Sequence, residues 1–193
     1  MRARKAEIRR NILSRRDLIT LHEAHDAAER VARAGLDLVQ RHLPPGGVVA
    51  AYWPIRREIG TRPLFAALVE AGVRTALPVM HAPGQPLEFK EWTLGDDLQH
   101  GSLSLQHPLP SAPTVIPAIV FAPLAAFDAQ GGRIGYGAGN YDATLAHLRA
   151  NGTVLAVGLA YAVQEIEAVP LEPHDQRLDR VITEERAFVM GPA

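Results

Sequence analysis

Apolar positions along this chain follow two spacings, and their alternation predicts its elements. Ile8, Ile12 and Leu13 recur at helical spacing within Arg2 to Arg16, with Lys and Arg around the rest of the turn. Thr20-Leu-His-Glu23 has the form of a capping box, opening a second helix striped by Ala27, Val31, Leu38 and Val39. Pro44-Pro45-Gly46-Gly47 ends it. Thr61 and Pro63 open a third helix over Leu64 to Ala71, closed by Gly72, and Tyr141 to Ala150 reads as a fourth. Val48 to Trp53, Ala118 to Ala122 before Pro123, and Val154 to Leu159 are short apolar runs of the kind buried strands require. Arg74 to Val79 and Leu87 to Trp92 are further strands, and Asp96 to Pro117, rich in Pro, Ser and His, reads mostly as loop. Strands and helices in alternation predict an α/β class. The expectation is a single three-layer domain over 1–193, with a mostly parallel sheet and helices on both faces.

Composition narrows the function classes. With 47% hydrophobic and 21% charged residues the chain is of ordinary globular type, and a core from 193 residues needs no staples. It contains no cysteine, which removes disulfide frameworks and thiolate zinc sites and suits a reducing cytoplasm, the expected location. A net charge of -1 gives no support to bulk electrostatic binding of nucleic acid. No apolar run approaches the roughly 20 residues of a membrane span. The Arg-rich start has the look of a transit peptide but lacks the serine enrichment. The expected partners are therefore small molecules, with neither nucleic acid nor membrane, and the expected state is a monomer.

The most informative stretch is Phe127-Asp-Ala-Gln-Gly-Gly-Arg-Ile-Gly-Tyr-Gly-Ala-Gly-Asn-Tyr-Asp142. Its glycines sit between a strand and a helix start, where backbone N–H groups can converge on an anion. Arg133 adds a fixed positive charge. The spacing is neither that of a Walker loop nor that of the dinucleotide fingerprint. A flexible turn remains the bland alternative.

This pattern, Phe-Asp-x-x-Gly-x-Arg-Ile-Gly-x-Gly-x-Gly-x-Tyr-Asp, resembles the signature of the 5-formyltetrahydrofolate cyclo-ligases, also called methenyltetrahydrofolate synthetases. Weaker matches follow in the family's order: Lys5 with Arg9, Trp53 to Ile59, Leu77-Pro78, and Val169 to Asp175 leading to Asp179 and Thr183. The resemblance implies a fold similar to that of the ribose-phosphate isomerase and CoA-transferase superfamily. It also implies ATP, Mg2+ and the cyclisation of 5-formyltetrahydrofolate to 5,10-methenyltetrahydrofolate with release of ADP and phosphate.

Carried over by motif, Lys5, Arg9 and Arg133 would grip ATP phosphates, with Ile134, Gly135, Tyr136, Gly137, Ala138, Gly139, Asn140 and Tyr141 lining the nucleotide. Trp53 and Glu58 would meet the folate together with Tyr136 to Asn140. Glu58, Arg133 and Tyr141 are the implied catalytic set, and Asp142 and Asp175 the implied magnesium ligands. Each has a plainer reading: Lys5 and Arg9 as solvated charges, Trp53 as core, Tyr141 as helix packing, Asp142 as a helix cap, Asp175 as a turn residue. Asp179 reads as structural. His22 and His25 share a helix face without a third ligand, and His107 and His174 adjoin prolines in loops.

The chain departs from the pattern at Asn140, where many relatives carry an aromatic residue, and at Ala138 and Ala143. Two other readings therefore stay open: an ATP-dependent paralogue acting on a different substrate, and a non-catalytic protein that binds nucleotide or folate.

Overall fold

The computed structural model describes residues 1–101 and 106–190. Residues 102–105, within the stretch read as loop, lie outside the described residues, as do 191–193. In chain order the elements are α1 (Arg2–Arg16), α2 (Leu21–His42), β1 (Val48–Ala50), α3 (Arg62–Glu70), β2 (Arg74–Val79) and β3 (Glu88–Glu91). Then come β4 (Leu98–His100), β5 (Gln106–Pro108), β6 (Thr114–Val115), β7 (Ile119–Pro123), β8 (Ala126–Phe127) and β9 (Arg133–Ile134). Last are α4 (Asn140–Asn151), β10 (Leu155–Leu159), a 3-10 turn (Ala162–Gln164), β11 (Arg180–Ile182) and β12 (Ala187–Val189).

Eight strands form one sheet in the order β12-β11-β10-β7-β1-β2-β3-β6. From β11 to β2 every pairing is parallel, and the outer strands β12, β3 and β6 pair antiparallel. The mostly parallel α/β expectation holds for the centre of the sheet, and the antiparallel pairing at β3 has a local cause. Residues 80–87 between β2 and β3 are too few for a crossover, so the pair closes as a hairpin. The stretch read as loop carries β4, β5 and β6, which are too short to display a period.

Strand side chains alternate between two cores, as a pleated sheet requires. Val49, Ile119, Phe121, Val157 and Ile182 face α2 and α3, joined by Val31, Val39, Leu64 and Phe65. Ala50, Val120, Ala122, Ala156 and Val181 face the other way, where Leu145 of α4 covers them. The capping box of α2 forms with both bonds in place. Thr61 at the start of α3 does not cap; its hydroxyl donates to the Tyr52 carbonyl at 2.7 Å and ties the end of β1 to the helix. α1 lies apart from both cores. Its Ile12 joins a small third cluster with Ala125, Ala126, Ile134 and Val169, beneath the glycine-rich loop.

Candidate active site

Just past the carboxyl end of β7, the chain turns back through β8 and β9, which pair antiparallel. Asp128 locks that turn. Its buried carboxylate accepts the Gln130 and Gly132 N–H groups at 3.0 and 2.8 Å and the Val169 N–H at 2.7 Å. Beyond β9 the chain rises to an exposed crest, Gly137 to Gly139. Gly137 and Gly139 have φ of 104° and 74°, where a side chain costs about 1–2 kcal/mol. Gly139 is the N-cap of α4 and supplies no side-chain cap, so the first N–H groups of the helix open beside the crest. A helix start of this kind attracts anions.

One face of α1 clasps this loop. Lys5, Arg9, Ile12 and Arg16 follow one another at spacings of three and four residues, so they share a stripe. The Lys5 ammonium pairs with Asp175 at 2.5 Å and with Glu172 at 3.1 Å. Burial by itself would lower the Lys5 pKa, but these carboxylates outweigh it and hold the ammonium above its ordinary value. Asp175 is correspondingly held down: burial would raise it, and Lys5 with the Glu172 N–H prevails. Arg9 donates from Nε to the Gly135 carbonyl at 2.7 Å. Arg16 donates from Nη1 to the Tyr136 hydroxyl at 2.7 Å.

Arg133 is buried and donates to Asp142 Oδ1 at 2.8 Å. Burial lowers its pKa against the pull of Asp142, yet a guanidinium stays charged. Its centre lies 6.0 Å from the Tyr141 ring, and its Nε has no partner among the described residues. Asp142 Oδ1 also accepts the Gln176 N–H at 2.9 Å, which joins the start of α4 to the segment carrying Asp175.

Glu58 sits in a tight turn after β1. Its carboxylate accepts the Ile55 N–H at 2.9 Å, its own N–H donates to the Ile55 carbonyl at 3.1 Å, and Arg56 between them has φ 53°. Burial pushes the Glu58 carboxyl up to about 7, against the opposing influence of the Ile55 N–H, the Tyr136 hydroxyl, Arg16 and Arg56. Burial likewise raises the phenols of Tyr136 and Tyr141, with Glu58 adding to both, so they remain protonated donors. Glu58, Tyr136 and Tyr141 are therefore close enough to influence one another's charge.

Two predicted residues point elsewhere. Trp53 meets Trp92 edge-on at 5.6 Å, lies under Arg62 at 4.8 Å, and walls a groove of about 440 Å³ with residues 94–98. No hydrogen bond or ring contact joins it to the glycine-rich loop among the described residues. Asn140 is buried and donates from Nδ2 to the carbonyls of Ala82 and Gln85 at 2.6 and 2.8 Å. With the Gly84 N–H bonded to the Ala138 carbonyl at 2.7 Å, it fastens the β2–β3 connection to the loop. A cavity of about 640 Å³ beside Arg149, Leu178 and Met190 is at the far end of α4, roughly 18 Å along the helix from Gly139.

The carboxylates fit a hard cation. Asp142 keeps Oδ2, and Asp175 keeps Oδ1, free of hydrogen-bond donors among the described residues. Magnesium takes one or two carboxylates and completes its shell with phosphate and water. Glu172 and His174 gather with Asp175, their ligand atoms within 4.8 Å of one another. His107 instead is buried in β5 against Gly101, remote in role from this group. Sequence reasoning assigned no role to Asp128, Glu172 or Arg16, although Asp128 and Glu172 lie within the quoted motifs. Asp128 is the Asp of the motif's Phe-Asp pair, and its invitation to a turn was the available signal. Arg16 was one basic residue among many.

A model of the 5-formyltetrahydrofolate cyclo-ligase family matches residues 1–184. A 5-formyltetrahydrofolate cyclo-ligase of Haemophilus influenzae is 30% identical over 89% of this chain and 93% of its own length. One of Mycolicibacterium smegmatis is 34% identical over 75% of this chain and 77% of its own. Among solved structures, the 5,10-methenyltetrahydrofolate synthetase of Aquifex aeolicus superposes with a TM-score of 0.75 at 25% identity, covering 98% of this chain and 94% of that one.

Proposed function

The chain belongs to the 5-formyltetrahydrofolate cyclo-ligase family, and we propose that it uses ATP to convert 5-formyltetrahydrofolate to 5,10-methenyltetrahydrofolate at the glycine-rich loop. The observation that carries this reading is the convergence of Arg133, Asp142, Tyr136, Tyr141 and Glu58 around an uncapped helix start.

An N-formyl oxygen is a poor leaving group, and its phosphorylation makes it a good one. The formyl oxygen attacks the γ-phosphorus and ADP departs. N10 then attacks the formyl carbon, the C–O bond breaks, inorganic phosphate leaves, and N10 gives up its proton. Lys5, Arg9, Arg133 and the N–H groups after Gly139 would hold the phosphates and offset the charge that moves between them. Glu58 would orient the folate, and a carboxyl titrating near 7 is suited to accept the N10 proton. Tyr136 and Tyr141 are protonated donors beside it. Trp53 would wall the folate only if the ligand reaches the groove beside Trp92.

Asp142 and Asp175 would hold Mg2+, which would supply charge neutralisation at the phosphates. Lys5 occupies the same carboxylate as the second of these, so phosphate oxygens would draw its ammonium away from Asp175 as nucleotide binds.

The test follows the methenyl chromophore and ADP together, with 5-formyltetrahydrofolate, ATP and Mg2+. Matched appearance of both is expected, lost with chelator and reduced at least ~100-fold by Asp142→Ala. ADP without methenyl product would support the paralogue with another substrate. Neither product, with nucleotide binding intact, would leave a binding protein.

A further inference from the structure

We propose that Asn140 is a positioning residue for the glycine crest, clasping the β2–β3 connection against it. The proposal rests on the reading that the crest holds nucleotide phosphate.

The crest has little of its own to fix it. Gly137, Ala138 and Gly139 are all exposed, and both glycines have positive φ. Glycine backbone ranges widely, so its N–H groups hold a direction only when a neighbour imposes one. The small apolar cluster beneath the loop reaches no further along it than Tyr136.

The connection supplies that neighbour. Ala82 to Gln85 form a tight turn, in which the Gln85 N–H reaches the Ala82 carbonyl at 3.4 Å and Gly84 has φ 73°. Asn140, at the first position of α4, is only 5% exposed and gives both protons of Nδ2 to this turn. They go to the carbonyls of Ala82 and Gln85, at 2.6 and 2.8 Å. Two carbonyl partners fix which way the amide points, because its oxygen would repel both. Asn140 Oδ1 is buried without a partner among the described residues, so what the side chain contributes here is its two donors. Between those carbonyls, the Gly84 N–H donates to the Ala138 carbonyl at 2.7 Å. The turn lies directly on the crest, where a Cβ on Gly139 would meet Gly84 Cα at 3.8 Å.

Thr144, four residues on and on the same face of α4, adds a second grip. Its hydroxyl accepts the Leu87 N–H at 2.8 Å and donates to the Asn140 carbonyl at 2.6 Å. The connection itself is mostly solvated: His81 and residues 83–86 are exposed, and Leu87 packs against the second core. Crest and turn are thus held as a unit by bonds between residues 55 and 58 apart in the chain. The crest N–H groups would meet phosphate in the ground state and the transition state alike. Loosening them therefore weakens nucleotide binding more than it slows turnover.

The experiment compares two variants that loosen the clasp from opposite sides. Asn140→Leu keeps the branching of the side chain and loses both donors without adding charge. Pro83→Gly with Pro86→Gly slackens the exposed turn and leaves Asn140 in place. Asn140→Leu should raise KM for ATP roughly 10-fold while kcat stays within about threefold of the parent. The double glycine variant should raise KM by roughly threefold, and should add little in the Asn140→Leu background. Asn140→Gln, with the same donors on a longer arm, should recover part of the loss. An unchanged KM in both variants, a fall in kcat alone, or full additivity overturns the proposal. If Asn140→Leu does not fold, Asn140→Gln and the double glycine variant carry the same comparison. ATP affinity measured by calorimetry without folate keeps the two readings apart. If the parent forms no methenyl-folate yet its affinity for ATP still falls in both variants, the functional reading fails and the positioning role stands. A parent that binds no ATP overturns both.

Discussion

The central sheet and the glycine-rich loop are held by different physics. β1, β7 and β10 are buried on both faces, and their side chains interleave with α2 and α3 on one side and α4 on the other. That region rests on apolar area removed from water, which no ligand competes for. The loop rests on single polar contacts: Asp128 to three N–H groups, Arg133 to Asp142, Lys5 to Asp175, Arg9 to Gly135, Arg16 to Tyr136. Beneath it is only the small cluster around Ile12 and Ile134. Under the proposed function, phosphate or a cation would take over several of those contacts. The scaffold would then be fixed independently of substrate, and the loop would exchange its own contacts for those of substrate.

The comparison can be broken hardest at Phe121, which is fully buried in β7 between α2 and α3. Phe121→Ala should remove about 3–5 kcal/mol of stability in urea melts while leaving turnover per folded molecule near that of the parent. A large loss of turnover without a loss of stability would contradict the division.

Glu58→Gln probes the other region through pH. The carboxyl titrates near 7 in the fold against an ordinary value of 4.5, so the folded state favours its protonated form. The sign follows: its contribution is full below pH 4.5 and is lost as pH rises through about 7. Glu58→Gln should flatten that decline and make the protein more stable than the parent above pH 7. The gain is about 1–3 kcal/mol, reduced from the full linkage value because Glu58 keeps some solvent contact. Melts at several pH values check it, and parallel profiles for the two proteins would refute it. Turnover at every pH should fall.

The smallest change in stability is expected at the crest. Gly137→Ala meets no atom closer than 3.8 Å, so its cost is conformational, about 1–2 kcal/mol. Its effect should appear as a raised KM for ATP, measured by initial rates, because the loop's N–H groups lose their direction. An unchanged KM would mean that the crest does not bind phosphate.

Much of the scaffold was legible. α1 and β2 have the bounds their periods predict, and the capping box opens α2. The glycine motif placed Arg133, Tyr141 and Asp142 in one short segment, and the structure brings Glu58 close enough to influence Tyr141. The strands β8, β9, β11 and β12 were not legible, because two or three residues contain no period to count. The environment of Asn140 was hidden for another reason. Its amide serves carbonyls more than fifty residues earlier in the chain, a pairing no local pattern encodes.

The sequence by itself determined the α/β alternation, the apolar strands and a glycine-rich connection able to meet an anion, because each follows from the spacing of neighbours along the chain. Only the tertiary structure decided which of the basic residues of α1 is buried, that Glu58 titrates near 7, and that Lys5 meets Asp175. Burial and charge pairing depend on what arrives from distant segments, and a desolvated group takes its properties from those neighbours rather than from its place in the chain.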